Sequence, residues 1–301
     1  MFSFTWKLDT ITRGGFLMFT DFKRLLIVML LLSCVLPAFS FEPSGGVLML
    51  DGEDDYAILP FAEHGYIIPA DAREFTVEVW FYPKAEPEQG VSNIILSQQV
   101  RFRLKSSNCR VPLSKKDQVC SSGVVFLEGG GAHGIRITDA AIKKDQWNYM
   151  AVIFTESTVY LAYNDQIRRG KKGFMNVVAG NLRLPEGFKN FCVGGYAEDV
   201  PVPKAYFHGE IDAIRFSNIA RYDLPAKVGI SPFDPPRRLS SDAHTLALWD
   251  FNDKEGADRF KDTSGNEYTL FGMNGATTSR ALAVNPANTS TTTTWGKIKS
   301  E

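Results

Sequence analysis

Apolar and polar residues alternate with a period of two through most of the chain beyond residue 45. Val47-Leu48-Met49-Leu50, Phe75 to Tyr82, Asn93 to Ser97, Val100 to Leu104, Val124 to Leu127, Gly134 to Ile137, Tyr149 to Phe154, Val159 to Tyr163, Asn190 to Gly194, Gly209 to Phe216 and Thr245 to Phe251 all read as strands. Each is short, rich in β-branched and aromatic residues, and bounded by Gly, Pro, Asn or Asp. No segment keeps a helical apolar stripe for three turns. Repeated short strands with turn signals between them predict an all-β sandwich or barrel. Trp80, Trp147 and Trp249 alternate with apolar neighbours and are expected to fill the core between two sheets. The stretch Ser231 to Pro236 reads as a rigid surface connector. After Gly275 the composition turns to Thr, Ser, Ala and Asn, so residues 276–301 are expected to be a disordered tail and residues 41–275 the folded domain.

The first forty residues carry a different signal. Lys23 and Arg24 precede the apolar run Leu25 to Leu32, and Ala38-Phe39-Ser40 supplies a small-x-small cleavage site before Phe41. A charged n-region, a short h-region and such a site define an export leader over residues 18–40. The run falls short of the roughly 20 residues a membrane span needs. Met18 opens a more normal leader than Met1, which makes residues 1–17 an over-extended start. Leu31-Leu32-Ser33-Cys34 leaves a second reading open, lipidation at Cys34, which Leu32 fits poorly. Export places the remaining cysteines in an oxidising compartment, where pairing is favoured. Cys109 and Cys120 bracket a polar loop and are the expected disulfide, whereas Cys192 lies in an apolar strand and reads as a buried free thiol.

Charge narrows the functional classes. Lys and Arg number 33 against 34 acids, a formal net charge of −1, and no basic stripe appears, so a nucleic-acid partner is excluded. The histidines, His64, His133, His208 and His244, are scattered without metal spacing and read as turn or edge residues. Gly129 to Gly134 lacks the Lys-Ser/Thr ending and the following helix of a phosphate loop. It reads as a turn.

A series of blocks then becomes familiar. Leu50-Asp51-Gly52-Glu53-Asp54-Asp55-Tyr56 forms an opening strand and turn. It is followed in order by Phe75 to Phe81 ("ftvevWf"), Gln146 to Val152, Val159 to Asp165, Phe191 to Gly195 ("iGg"), Phe207 to Phe216 with Ala220-Arg221-Tyr222, and Leu246 to Phe251 with Asp262 to Asn266. In this order the blocks resemble LamG-like jelly-roll domains, relatives of the concanavalin A-like lectin/glucanase sandwiches. The resemblance covers about Gly45 to Gly275 and implies a two-sheet antiparallel jelly roll. Gln166 stands where that family's hairpin usually has Gly, so a longer or bulged turn is expected there.

The resemblance raises two chemistries. Some concanavalin A-like sandwiches carry Glu-x-Asp-x-Glu on one strand. Spacing by two puts three acids on one face, with the outer pair near the ~5–5.5 Å that a retaining glycosidase needs. Here the run is Glu210-Ile211-Asp212-Ala213-Ile214, and Ile214 occupies the place of the third acid, so no catalytic residue is assigned. Many relatives also hold a structural Ca²⁺ at the sandwich rim, and Asp51, Asp54, Asp55 and Asp212 are the acids within the resembling motifs. A hard cation wants several oxygens. The plainer alternative has Asp51 and Asp212 capping turns or accepting backbone hydrogen bonds. A sugar site would need aromatic faces with a few polar groups to orient the ligand. Tyr66, Tyr82, Tyr163 and Tyr196 are the candidates, since they lie near strand ends or in loops.

The leading expectation is a secreted or surface, non-catalytic module that recognises a glycan or an extracellular protein, with Ca²⁺ as its candidate cofactor. A purely structural secreted component is the second reading. An enzyme with an unfamiliar site is the third.

Overall fold

The alternation becomes strand pairing almost wherever it is continuous. The computed structural model describes residues 41, 44–69, 72–86, 92–98, 102–110, 117–127, 131–137, 142–155, 158–170, 190–195 and 206–280, with the side chains of residues 92, 106–110, 117–127 and 131–137 outside the description. The export leader with Cys34, Tyr196, the glycines at 129 and 130 and residues 281–301 lie outside the described residues.

One sheet runs β13 (Gly229–Pro232), β10 (Gln166–Arg169), β9 (Thr158–Tyr163), β8 (Asn148–Thr155), β3 (Glu74–Pro83), β12 (His208–Ser217), β1 (Gly46–Asp51), β17 (Thr277–Arg280), and β14 (Thr245–Trp249) also pairs with β12. The other runs β15 (Arg259–Phe260), β16 (Leu270–Met273), β2 (Tyr56–Leu59), β11 (Phe191–Val193), β4 (Ser92–Gln98), β5 (Phe102–Arg110), β6 (Asp117–Leu127), β7 (Gly131–Ile137). The recorded pairings are antiparallel. The architecture is a jelly-roll sandwich of the concanavalin A-like type. The described residues hold one short helix, α1 (Phe61–His64).

Two apolar clusters follow from the period of two. Leu48, Leu50, Val77, Val79, Phe81, Met150, Val152, Ile211, Ile214 and Phe216 of the first sheet meet Leu59, Ile95, Leu96, Phe102 and Phe191 of the second. This is the inter-sheet core. Residues one position out of phase, Trp80, Tyr149, Ala151, Ile153, Tyr160, Ala162 and Ala213, form a second cluster on the outer face of the first sheet. The tryptophans are therefore divided, contrary to the expectation of one shared core. Trp249 lies between the sheets, Trp80 is buried on the outer face, and Trp147 is half-buried at its end.

The segment from Asn218 to His244 explains how an outer face can bury residues at all. It runs as a strap, contributes β13, and lays Tyr222, Leu224, Phe233 and Leu239 on the second cluster. Phe233 stacks on Tyr149 at 5.8 Å, and Trp80 donates its indole N–H to Pro236 O at 3.1 Å. The stretch Ser231 to Pro236 is thus a surface connector whose Phe233 and Pro236 also fasten it to the sheet.

Three further expectations are corrected. Residues 277–280 form β17, paired with β1, and Ala276 is buried, so the fold extends past Gly275 into the predicted tail. The β9–β10 turn is tight, with Gln166 paired to Tyr163. Asn164 takes the positive φ of 47° that Gly would otherwise supply, as Asn tolerates. The third correction concerns β12. Its register to β3 passes from Ile211↔Phe81 to Ala213↔Trp80, leaving Asp212 as an extra residue in a β-bulge. A bulge inserts one unpaired residue and shifts the alternation beyond it, so Ile211 and Ile214 both face the inter-sheet core.

Candidate functional site

The outer face of the first sheet has a sealed middle and an open end. Beneath the strap, Glu78 and its cross-strand partner Arg215 form a buried ion pair at 2.9 Å. Tyr222 donates its hydroxyl to Glu78 Oε1 at 2.8 Å, and Tyr149 donates to the same oxygen at 3.3 Å. Arg215 also donates to Ser240 O at 2.8 Å. Burial, then the Glu78 carboxylate, push both phenols well above the usual tyrosine range, so they remain donors. This network ties the strap down and offers nothing to a ligand.

At the end where β1 and β3 finish and β8 and β12 begin, the strap is absent and outward positions line up across four strands. Trp147 precedes β8, Tyr82 of β3 pairs with Glu210 of β12, and His208 pairs with Asp51 of β1. Neighbouring strands lie about 4.8 Å apart, so these side chains share one continuous rim. Tyr82 and Trp147 are half-buried, with centroids 5.5 Å apart and planes at 66°. Phe41 packs on the Trp147 ring at 4.8 Å and on Trp80 at 4.3 Å. Beside this aromatic corner, Lys84 Nζ pairs with Glu210 Oε1 at 2.8 Å. Burial, then the charges of Asp145 and Glu210, raise the Tyr82 phenol above its ordinary value, which keeps its hydroxyl protonated.

The acidic turn closes the same rim. Asp51 Oδ1 accepts backbone N–H groups from Glu53 at 2.8 Å and from Asp54 and Asp55 at 3.3 Å each. Asp55 Oδ2 accepts the Asp51 N–H at 3.2 Å. Gly52 has φ 80°, and a Cβ there would lie 2.5 Å from His208 Cβ, so only glycine lets the turn fold against β12. One carboxylate oxygen from each of Asp51, Asp54 and Asp55 lies within 4.8 Å of the others. Burial, followed by the Asp51 charge, raises the Asp55 carboxyl above its usual range. The hard oxygens of this set and their mutual repulsion fit a cation such as Ca²⁺. The turn-capping role of Asp51 is also realised, since its Oδ1 is engaged by three amides.

Asp212 does not join them. It lies four residues along β12 from His208, about 13 Å of strand, and is fully buried. Its Oδ1 accepts the Ser44 N–H at 2.6 Å, and its Oδ2 has no partner among the described residues. Burial above all pushes its carboxyl up to about 7, with Asp250 raising it and Arg238 lowering it. The expected set of four acids reduces to three.

The glycosidase pattern is dismantled by the same bulge. Glu210 is paired with Lys84, Asp212 is enclosed around Ser44, and Ile214 points between the sheets rather than onto the face of Glu210. Strict spacing by two placed Ile214 beside Glu210; the extra residue turns it away.

The four tyrosine candidates fare differently. Tyr82 stands in the open corner. Tyr66 lies beyond the end of β2, at the opposite end of the sandwich, half-buried against Phe61 at 4.6 Å. Tyr163 is buried in the inter-sheet core and donates its hydroxyl to Asn148, so it presents no face to a ligand. Its alternation in β9 already carried that signal. Tyr196 lies outside the described residues. Cys109 and Cys120 stand opposite Gln118 and Ser107 on β5 and β6, and their side chains are likewise outside the description. Cys192 is a buried free thiol. Sequence reasoning missed Phe41, Lys84 and the outward role of Trp147, and it read His208 as an ordinary edge residue.

A laminin G-type family model, described as the concanavalin A-like lectin/glucanases superfamily, matches residues 51–223. The chain belongs to this superfamily. Among solved structures, this concanavalin A-like chain is similar to a candidate carbohydrate binding protein from Bacteroides ovatus. The identity is 13%, over 80% of this chain and 61% of that one, with a TM-score of 0.47. It is also similar to a heptameric SAP-like pentraxin from Limulus polyphemus, at 11% identity over 64% and 93% of the two chains and a TM-score of 0.39. Domains LG4-5 of the mouse laminin alpha1 chain match at 14% identity over 64% and 47%, with a TM-score of 0.39. The superfamily member described here spans about three-fifths of the first of these proteins. No curated protein is similar to it in sequence at a significant level. No helix among its described residues is long and apolar enough to cross a membrane.

Proposed function

We propose that this domain is a non-catalytic, exported glycan-binding module whose ligand lies on the open end of the outer sheet face. The observation that carries the reading is the half-exposed Tyr82–Trp147 corner beside the Lys84–Glu210 ion pair. A pyranose ring has an apolar C–H face and a belt of hydroxyls. Indole and phenol rings take the first, and a few oriented polar groups take the second. Lys84 retains two N–H donors beyond its bond to Glu210, since an ammonium has three. Glu210 is buried and orients the Lys84 ammonium, and His208 stands one outward position further along.

The same arrangement argues against hydrolysis. A retaining mechanism needs two carboxyl groups flanking one bond. The run that spacing offered for it fails, because Asp212 is enclosed around Ser44 and Ile214 is internal. In this reading Ca²⁺ sits at Asp51, Asp54 and Asp55, neutralises their repulsion and stiffens the turn that borders the ligand.

Affinity electrophoresis through gels containing soluble polysaccharides, with and without CaCl2, tests the proposal. Retarded migration of the wild type that is lost in Trp147→Ala and Tyr82→Ala, with thermal unfolding unchanged, is the expected result. Equal migration of all three proteins on every polysaccharide would overturn it and favour a structural component.

A further inference from the structure

The Trp147 indole is a binding surface with little of its own to hold it. It precedes β8 rather than sitting within it, and among the described residues it makes no hydrogen bond. Its ring neighbours among the described residues are Tyr82 and Phe41. Phe41 in turn bridges to the fully buried Trp80 at 4.3 Å, an indole already fixed by its N–H bond to Pro236 O. The orientation of Trp147 is therefore referred back to the sheet through Phe41.

Phe41 is held from the other direction by Ser44. The Ser44 N–H donates to Asp212 Oδ1 at 2.6 Å, and its hydroxyl donates to Asp250 O at 2.7 Å. Asp212 makes this contact from its place in the β12 bulge. Gly46 lets the chain pass, since a Cβ there would lie 1.9 Å from Phe251 O. Phe41, through its ring contacts, and Ser44, through its hydrogen bonds, are thus each tied to the body of the domain.

We infer that Phe41 is a positioning residue of the glycan platform: it braces the Trp147 indole, and the Ser44–Asp212 bond holds the brace. The inference rests on the proposed function for its binding readout only. Phe41 is also the first residue of the compact unit and follows the Ala38-Phe39-Ser40 cleavage signal. Export processing at that bond would leave Phe41 as the new N-terminal residue, and loss of a single residue would remove the brace.

The test measures acrylamide quenching of tryptophan fluorescence in the exported protein, with a Trp147→Phe background to isolate the Trp147 component. Phe41→Ala is expected to raise the quenching constant of that component, Phe41→Tyr to restore it, and Asp212→Ala, which removes the acceptor of the Ser44 N–H, to raise it by a smaller amount. Retardation by a soluble β-glucan and a soluble xylan is measured on the same variants. Whichever retards the wild type should bind Phe41→Ala about threefold to tenfold more weakly, the range that a single aromatic pair spans, with the melting temperature of Phe41→Tyr unchanged. Unaltered Trp147 quenching in Phe41→Ala, or failure of Phe41→Tyr to restore it, overturns the inference. If neither polysaccharide retards the wild type, the glycan reading loses that support while the quenching result still decides the role of Phe41.

Discussion

Replacing Asp212 by Asn converts a buried carboxyl into a neutral group of the same shape that still accepts the Ser44 N–H. Its carboxyl rises from 3.8 in the unfolded chain to about 7 in the fold, chiefly through burial. A raised folded value means the folded state holds the proton more tightly than the unfolded one. The group's contribution to stability is therefore complete below about pH 3.8, declines between there and about pH 7, and is lost above. A difference of roughly three pH units at 1.36 kcal/mol each amounts to ~4 kcal/mol. No discount for solvent screening is needed, because the side chain is fully buried. The charged groups that act on it, Asp250 and Arg238, are unchanged by the substitution. Urea unfolding of wild type and Asp212→Asn at half-unit steps from pH 4 to 8.5 gives the difference in free energy at each pH. That subtraction removes every titration the two proteins share. Asp212→Asn should match the wild type near pH 4 and exceed it by about 2–4 kcal/mol at pH 8. Parallel stability curves would refute the reasoning, since they would mean that Asp212 has no raised folded value.

Other substitutions probe the remaining parts. Glu78→Ala strands the buried Arg215 guanidinium and should cost about 3–5 kcal/mol in urea unfolding, whereas Glu78→Leu with Arg215→Met should recover most of it. CaCl2 should raise the melting temperature relative to an EDTA-treated sample, and Asp55→Asn should abolish the rise. No shift in the wild type would remove calcium from the acidic turn. Burial holds the Cys192 thiol far above the usual thiol range, so the native protein should leave it unmodified by a thiol reagent at pH 8 and expose it only on unfolding.

Much of the fold was legible because the period of two is strong wherever one face is core. β3, β8, β9 and β12 were read within a residue or two of their ends for that reason. β2 was missed because Tyr56, Ala57 and Leu59 are all buried, so its four residues do not alternate. β10, β13 and β17 are short edge or near-edge strands whose pairing depends on partners distant in sequence, which no local pattern encodes. The tryptophans were misallocated for a related reason. Alternation states that two faces differ but not which face a strap will cover, so Trp80 and Trp249 look alike in sequence and occupy different cores. At the site, the acidic turn was visible as Asp51-Gly52 followed by three acids. The aromatic corner was only half visible, through Tyr82, because Trp147 joins it by the register of β8 against β3. Asp212 was misplaced because a bulge leaves no mark in a run of alternating residues.

That inserted residue also governs how this chain could be redesigned. Grafting a carboxylate at position 214, the move that spacing alone recommends for recreating a hydrolase, would drive a charge into the apolar layer between Phe216 and Phe102 and would unfold the domain before any bond could be cleaved. Excising residue 212 would remove the bulge but leave positions 210 and 214 three apart along the strand, still on opposite faces, and would also remove the bond that holds Ser44. Neither change turns β12 to hydrolysis, and in this protein the inserted residue serves the segment that begins at Phe41.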